Sequence, residues 1–259
     1  MEINKIFNED CLLTMSNMDD CFIDLVVTSP PYDNLREYKN KIDKTWGEGV
    51  WKPILKELYR VVKNGGVVVW IVGDATINGS ETGTSFKQAL FAMDCGFKLH
   101  DTMIYEKNSS TYPSSKNSVR YSQIFEYMFV FSKGKPKTTF LICDKPNKWA
   151  GYKDFSGKLK NVVPKFSPRT NIWKYTTSFN DKTGHPAVFP EKLVDDCISS
   201  WSDNGDLVYD PFMGSGTTAK IALLKHRRWI GSEISSEYVN IANDRIGKAI
   251  REKEQSLFK

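Results

Sequence analysis

The sequence has no pair of cysteines at a metal-binding or redox spacing. Its five cysteines are scattered and odd in number, and its three histidines form no ligand cluster. We therefore expect neither a disulfide framework nor a structural zinc site, and we assign no residue to a metal. The pattern is typical of reduced, buried thiols in a cytosolic protein.

Long apolar runs are missing as well. No stretch approaches the roughly 20 apolar residues of a membrane span, and the first residues lack the basic and apolar regions of a signal peptide. We therefore expect no membrane segment and predict a cytoplasmic location. The absence of a Walker loop and of a G-x-S-x-G nucleophile elbow argues against P-loop nucleotide binding and against a Ser–His–Asp hydrolase.

The charge of the chain is unevenly distributed. The 259 residues have an ordinary globular composition and a net charge of only +5. Residues 133–184, however, contain twelve Lys or Arg and three acidic residues, a local charge of +9, which leaves −4 for the remainder. A basic region of this kind is compatible with binding to nucleic acid.

Short apolar runs alternate with amphipathic segments along most of the chain. The strand candidates are 21–27, 66–72, 98–105, 127–132, 207–209 and 228–234. The helix candidates are 50–62, 85–95, 191–201, 217–225 and 236–252. The first of these is followed by Asn64-Gly65-Gly66, which would end it. This alternation predicts an α/β fold built on a doubly wound, mostly parallel sheet.

The segment 133–184 interrupts this alternation with eight aromatic residues and four prolines. Basic residues interleaved with aromatic ones suit phosphate contacts combined with base stacking. A solvated basic loop whose aromatic side chains pack on the sheet would have the same composition. If the segment binds nucleic acid, its lysines should carry most of the salt dependence of binding.

A glycine-rich motif follows one predicted strand and opens a helix. It comprises Asp210, Pro211, Phe212, Met213, Gly214, Ser215, Gly216 and Thr217. Free backbone N–H groups there favour polar ligand atoms, and the glycines allow a cofactor to approach closely. Glu233 ends the next strand, where a carboxylate can accept hydrogen bonds from ribose hydroxyls. The match to G-x-G-x-x-A also admits a nicotinamide dehydrogenase, although four residues separate the strand from the first glycine. A turn without a ligand is the third interpretation.

A second motif, Ser29-Pro30-Pro31-Tyr32, directly follows another predicted strand. Two prolines fix an extended backbone and remove two amide donors, so the nearby carbonyls can accept a donor from outside. Ser29 adds a hydroxyl, and Tyr32 adds a flat aromatic face. This combination suits an aromatic amine, although the tetrapeptide alone is also compatible with a simple turn.

Together the two motifs resemble those of the DNA amino-methyltransferases, which carry [DNS]-P-P-[YFW] and D-P-F-x-G-S-G-T. Their order, with the basic segment between them, resembles the β class of that family. The resemblance covers nearly the whole chain and implies S-adenosylmethionine as cofactor and double-stranded DNA as partner. It also implies a seven-stranded, Rossmann-like methyltransferase sheet with one reversed strand. Residues 1–132 and 185–259 would form the catalytic and cofactor-binding domain, and 133–184 the target-recognition insert.

The resemblance also implies roles for individual residues. His185 and Pro186 would shape the pocket for the methionine moiety, Asp10 would lie near the adenine, and Glu233 would bind the ribose. Ser29 and the Pro30 carbonyl would accept the amine hydrogens of a flipped base stacked on Tyr32. Many β-class members are dimers, so a homodimer is a candidate assembly, and a cognate restriction enzyme is a candidate partner.

The sequence leaves two candidates for the methylated amine, cytosine N4 and adenine N6. Methylation at cytosine C5 typically uses a thiolate that follows a proline, and no cysteine here follows a proline. Serine in the first motif position favours cytosine N4 in this family, and aspartate favours adenine N6, although both amines present the same hydrogens. An RNA or protein amine methyltransferase and a non-catalytic DNA-binding module are the remaining alternatives.

Overall fold

The structure is a computed structural model that describes residues 1–31, 46–108, 119–152, 162–176 and 190–257. Its strands are β1 (Lys5–Phe7), β2 (Ile23–Thr28), β3 (Val62–Val72), β4 (Thr76–Ile77), β5 (Ser80–Glu81), β6 (Lys98–Lys107), β7 (Phe125–Ser132), β8 (Lys145–Pro146), β9 (Phe166–Ser167), β10 (Ile172–Tyr175), β11 (Leu207–Asp210) and β12 (Arg228–Ser232). Its helices are α1 (Cys11–Ser16), α2 (Glu48–Val61), α3 (Thr84–Asp94), α4 (Glu191–Trp201), α5 (Thr217–Leu224) and α6 (Ser236–Leu257).

The main sheet has eight strands in the order β1-β12-β11-β2-β3-β7-β6-β10. Neighbouring strands are parallel except at β7, which runs antiparallel to both β3 and β6. The predicted doubly wound, mostly parallel α/β fold with one reversed strand is therefore confirmed. The sheet has one strand more than the expected seven because β10, which lies within 133–184, pairs in parallel with the end of β6.

Helices cover both faces of this sheet. Buried side chains of α4, α5 and α6 form one apolar layer, and those of α1, α2 and α3 form the other. Every residue of β2 is buried, as expected for a central strand that is covered on both faces. In the described part of the chain, no helix is both long and apolar enough to cross a membrane.

Helix α2 ends earlier than the glycines at 65–66 suggest. The helix stops at Val61, and Val62 already has extended geometry and begins β3. Lys133 Nζ donates hydrogen bonds to the carbonyls of Tyr59 at 2.7 Å and Val62 at 2.9 Å. A cation at a helix carboxyl terminus satisfies carbonyls that the helix itself leaves unpaired. A lysine 71 residues after Val62 therefore helps to end the helix.

Candidate active site

The two predicted motifs meet where two neighbouring strands end. Strands β2 and β11 are parallel and adjacent, with Val26 opposite Tyr209. Just beyond this pair, Thr28 Oγ1 donates a 2.6 Å hydrogen bond to Asp210 Oδ1. The Ser29-Pro30-Pro31 segment therefore begins beside the glycine-rich loop. Pro30 is buried, and Ser29 and Pro31 are half-buried.

The carboxylate of Asp210 is engaged by protein donors. Its side chain is only 2% exposed, and it also accepts hydrogen bonds from the Phe212 backbone N at 3.0 Å and Thr218 Oγ1 at 2.7 Å. Burial raises the pKa of Asp210 to about 6, while the hydrogen bonds from Thr28, Thr218 and Phe212 act in the opposite direction. Asp210 is therefore placed to hold the loop in shape.

The loop itself requires glycine at one position in particular. Gly216 has a φ of +81°, and a Cβ built there would lie 2.7 Å from the Cβ of Ala242 in α6. The backbone of the loop therefore packs directly on α6, and helix α5 begins at the next residue, Thr217. The first N–H groups of a helix have no partner within the helix and attract polar or anionic ligand atoms.

The hydroxyl groups of the loop are bound by a residue that the sequence analysis missed. Arg245 of α6 donates to Ser215 Oγ at 2.7 Å and to Thr217 Oγ1 at 3.2 Å, and its other nitrogen contacts Glu191 at 2.9 Å. Ser215 and Thr217, both predicted to bind the cofactor, thus also fix the loop to α6. No local pattern marks Arg245, since it lies 30 residues after Ser215.

Glu233 lies beside the same loop. Its Oε2 accepts a hydrogen bond from the Gly214 backbone N at 2.8 Å, and its Oε1 accepts one from the Ser235 backbone N at 2.8 Å. Burial raises the pKa of this half-buried carboxyl group. Because a carboxylate offers about four lone-pair positions, both oxygens keep capacity for ribose hydroxyls.

The start of the chain supports the position of Glu233. Asn8, which the sequence analysis did not single out, donates to the backbone carbonyls of Glu233 at 2.8 Å and Ile234 at 3.1 Å. Asp10 is exposed, and its side chain caps α1 by accepting a hydrogen bond from Leu12 N at 2.8 Å. Asp10 follows shortly after β1, the edge strand of the sheet, which pairs with β12.

The remaining predicted site residues fall into two groups. Pro211 is buried, and the ring of half-buried Phe212 packs edge-on against Trp46 at a centroid distance of 5.6 Å. These two residues therefore anchor the loop to the apolar layer near α2. The other group, Tyr32, His185 and Pro186, lies outside the described residues.

The assembled features fit an adenosine-containing cofactor. A close-packed glycine, the start of a helix and a half-buried carboxylate converge on one loop, as nucleotide binding requires. The Ser29 segment lies at the adjoining strand end. In the part of the chain that the structure describes, no group of three or more His, Cys, Asp or Glu side chains is arranged to hold a metal ion.

Comparisons with known proteins agree with this geometry. The family model of the N6/N4 DNA methylases matches residues 23–244. The orphan methyltransferase M.BamHII of Bacillus amyloliquefaciens is 52% identical over 249 residues, which cover 89% of this chain and 91% of that protein. The type II methyltransferase M.BglII of Bacillus subtilis is 29% identical, over 93% of this chain and 68% of that protein.

Solved structures share the fold over nearly the whole chain. PvuII DNA methyltransferase, described as cytosine-N4-specific, matches with a TM-score of 0.70 at 24% identity, covering 93% of this chain and 85% of that one. The M1.HpyAVI–SAM complex matches with a TM-score of 0.62 at 25% identity, covering 93% and 98%. The chain therefore belongs to the N6/N4 DNA methylase family and is a DNA methyltransferase that uses S-adenosylmethionine.

Proposed function

We propose that this chain methylates the exocyclic N4 amine of a cytosine that is flipped out of double-stranded DNA. The observation that carries this proposal is the hydrogen bond from Thr28 to Asp210. It connects the Ser29-Pro30-Pro31 segment to the glycine-rich loop, so a base held by the first motif would lie beside the cofactor held by the second.

The first motif supplies acceptors for the amine. The nitrogen lone pair of a base amine is delocalised into the ring, which makes it a poor nucleophile. The Ser29 hydroxyl and the Pro30 carbonyl accept the two N–H hydrogens and draw the nitrogen towards tetrahedral geometry. S-adenosylmethionine supplies an electrophilic methyl group when bound. Positioning of the amine and electrostatic support by these acceptors provide most of the acceleration, and Tyr32 provides the stacking partner for the flipped base.

The second motif and its neighbours hold the cofactor. The Glu233 carboxylate accepts hydrogen bonds from the ribose hydroxyls, and Gly216 lets the loop that receives the cofactor pack closely on α6. Asp10 lies near the adenine, and His185 with Pro186 shapes the pocket for the methionine moiety. Half-burial of Glu233 beside the Gly214 N–H supports the ribose assignment.

The choice of cytosine N4 rests on Ser29. Serine in the first position of the motif favours cytosine in this family, whereas aspartate favours adenine. The segment 133–184 acts as the target-recognition region, with residues 1–132 and 185–259 as the catalytic domain. The bacterial methyltransferases among the relatives support methylation in the cytoplasm.

Assembly and pairing with other proteins are separate proposals. A homodimer follows from the β-class resemblance, and light scattering of the purified chain tests it against a monomer. The name orphan methyltransferase of the 52% identical relative supports an enzyme that works without a cognate restriction enzyme. The type II designation of M.BglII supports the opposite arrangement.

Nucleoside analysis tests the function directly. The chain is incubated with labelled S-adenosylmethionine and duplex plasmid DNA, and the digested nucleosides are identified by mass spectrometry. N4-methylcytosine is expected. N6-methyladenine instead would overturn the target base but keep the reaction class. Label in RNA or protein and none in duplex DNA, or no label in any of them, would overturn the proposed function.

A further inference from the structure

Two hydrogen-bonded antiparallel strands lie within the segment 133–184. We call the described residues 145–152 and 162–167 the finger. Strands β8 and β9 pair at its base, and backbone hydrogen bonds continue beyond them. Asn147 N donates to the Lys165 carbonyl at 2.9 Å, Gly151 N to the Val163 carbonyl at 3.0 Å, and Val163 N to the Tyr152 carbonyl at 2.9 Å. The described part of the finger is therefore regular backbone structure.

The base of the finger is attached to the catalytic body. Arg169 forms ion pairs with exposed Asp144 and with Asp196 of α4, the latter at 2.8 Å. Its guanidinium also lies 5.1 Å from the ring centroid of Trp173 in β10. A guanidinium with two carboxylate partners, one of them buried, is held more firmly than a single surface ion pair. Movement of the finger base relative to α4 is thereby restricted.

Three aromatic rings on the finger face solvent, of which Phe166 is the least exposed at 41%. Trp149 is 67% exposed and Tyr152 is 57% exposed, and their rings contact each other edge-on at a centroid distance of 5.8 Å. The intervening turn is closed by hydrogen bonds from Ala150 N to the Asn147 carbonyl and from Tyr152 N to the Trp149 carbonyl. Exposed aromatic residues on ordered backbone are typical of surfaces that bind another molecule.

The positive charge of the segment is also divided between the body and the finger. Lys137 pairs with Asp206 at 2.8 Å, and Lys174 pairs with Glu106 at 2.6 Å. By contrast, Lys145, Lys148 and Lys165 of the finger are exposed and have no acidic partner within the described ranges. Lys133 and Lys135, outside the finger, have no carboxylate partner in the described ranges either, although Lys133 is bound to the carbonyls at the end of α2. Three lysines without an acidic partner thus lie on the finger together with the exposed aromatic pair.

We propose that the finger binds duplex DNA, with Lys145, Lys148 and Lys165 contacting phosphates and the Trp149 ring inserting at a base step. This inference rests on the proposed function and names the surface that holds its substrate. Lysines that contact phosphates give salt-dependent affinity. A ring inserted at a base step partly unstacks it and packs on the exposed base face without reading the sequence. Trp149 is therefore assigned to affinity and positioning.

A charge-matched pair of double variants tests the lysines. Lys148→Gln with Lys165→Gln removes two charges from the finger, and Lys137→Gln with Lys174→Gln removes two from the same segment outside it. Affinity for a fluorescein-labelled 30-base-pair duplex is measured by anisotropy over a range of salt concentrations. The finger variant should make the negative slope of log association constant against log salt shallower by about 2, since each phosphate contact contributes about 0.9 to its magnitude. The matched variant should keep the wild-type slope, and equal slopes in the two variants would overturn the proposal.

A second set of variants tests the aromatic ring. Trp149→Ala should raise Kd for the duplex about tenfold, within the range measured for loss of one base–aromatic stack, and should leave the salt slope unchanged. Trp149→Phe should stay within about threefold of the wild type because a ring is retained. Phe140→Ala removes another exposed ring of the segment, outside the finger, and should bind like the wild type. Wild-type affinity of Trp149→Ala, or equal losses for Trp149→Ala and Phe140→Ala, would refute the role of Trp149.

Failure of this inference is distinguishable from failure of the proposed function. Binding to a duplex is measured without methyl transfer, so a chain that transfers no methyl group still gives the affinity ratios. If the wild type methylates DNA and every finger variant binds like it, the finger assignment alone is wrong.

Discussion

Thr28 Oγ1 donates a 2.6 Å hydrogen bond to Asp210 Oδ1, although 182 residues separate them along the chain. Both side chains are almost completely buried, at 0% and 2% exposure. Each residue lies at the end of a strand from which one motif begins. A single buried hydrogen bond therefore contributes to the relative position of the acceptors in the first motif and the loop of the second.

Thr28→Val tests this connection. Valine has nearly the same shape as threonine but no hydroxyl, so the buried Asp210 carboxylate loses one donor. We expect the free energy of unfolding to fall by about 1–3 kcal/mol and methyl transfer to slow as the two motifs lose their fixed separation. Urea denaturation and single-turnover kinetics measure both. Thr28→Ser keeps the hydroxyl and should retain most activity, and a Thr28→Val variant with wild-type stability would contradict the connection.

The raised pKa of Asp210 predicts a specific pH dependence of stability. Burial raises this pKa from its ordinary 3.8 to about 6 in the folded chain. As pH rises through this interval, the unfolded chain releases the proton first, so the free energy of unfolding falls. The contribution is fully present below about pH 4 and is lost above about pH 6, a difference on the order of 3 kcal/mol.

Asp210→Asn removes this titration and keeps an acceptor oxygen for Thr28 and Phe212. Its amide can donate to Thr218 Oγ1. We expect the difference in unfolding free energy between Asp210→Asn and the wild type to move in favour of the variant as pH rises from 4.5 to 7. Parallel stability curves across that interval would show that Asp210 does not titrate there.

Gly216 and Gly205 form a matched pair for testing the cofactor loop. Both have a φ of +81°, but a Cβ at Gly205 would meet no atom within 4 Å, whereas one at Gly216 would meet Ala242. Gly205→Ala should cost about 1–2 kcal/mol from backbone strain alone. Gly216→Ala should lose more stability and most of its affinity for S-adenosylmethionine. Adding Ala242→Gly should restore part of both in thermal denaturation and calorimetry, and equal losses for the two alanine variants would contradict a close-packed loop.

Ser29→Ala separates catalysis from cofactor binding. Removal of one positioned hydrogen-bond partner of the reacting group should lower kcat by about a hundredfold. Affinity for S-adenosylmethionine should change little, since Ser29 belongs to the other motif. Isothermal calorimetry and single-turnover methylation give the two values. Loss of cofactor affinity would mean that Ser29 belongs to the cofactor site.

Glu233→Gln tests the carboxylate at the end of β12. The amide keeps the shape of the side chain but cannot accept from both the Gly214 and the Ser235 N–H groups as the carboxylate does. Affinity for S-adenosylmethionine should fall about tenfold or more, as for hydrogen bonds to charged groups. Glu237→Gln, in the exposed first turn of α6, is the matched control and should bind normally. If the two variants have equal affinity, Glu233 has no part in cofactor binding.

The central strands and the longer helices could be predicted because their local signals are strong. The predicted helix 191–201 coincides with α4, and 207–209 lacks only the last residue of β11. Residues 191–201 have a clear helical periodicity, residues 207–209 form a continuous apolar run, and both segments are bounded by turn residues. The three-residue β1 and the four-residue β10 have no such signal, since each is held by pairing with distant strands, β12 and β6.

The candidate site was predictable in its motifs and less so in its internal contacts. Ser29 and the glycine-rich loop are local patterns, and the structure brings their strands together. Arg245 and Asn8 contact the site across 30 and 225 residues, so no spacing rule points to them. The burial of Asp210 among hydroxyl groups likewise depends on three separate elements.

The reversal of β7 determines where the segment 133–184 begins. Because β7 runs antiparallel to β3, with Tyr127 opposite Val72 and Ser132 opposite Val67, the chain leaves β7 at the end of the sheet opposite the two motifs. The segment then runs along α4. Near the carboxyl end of this helix, Phe140 N donates a hydrogen bond to the Ser200 carbonyl, and farther along the segment Arg169 pairs with Asp196 in the second turn. At that end of the sheet, Lys133 donates to the carbonyls at the end of α2, and Lys137 forms an ion pair with Asp206. The direction of one strand thus limits how much of the segment's charge is available to DNA, and the formal +9 overstates the charge of the binding surface.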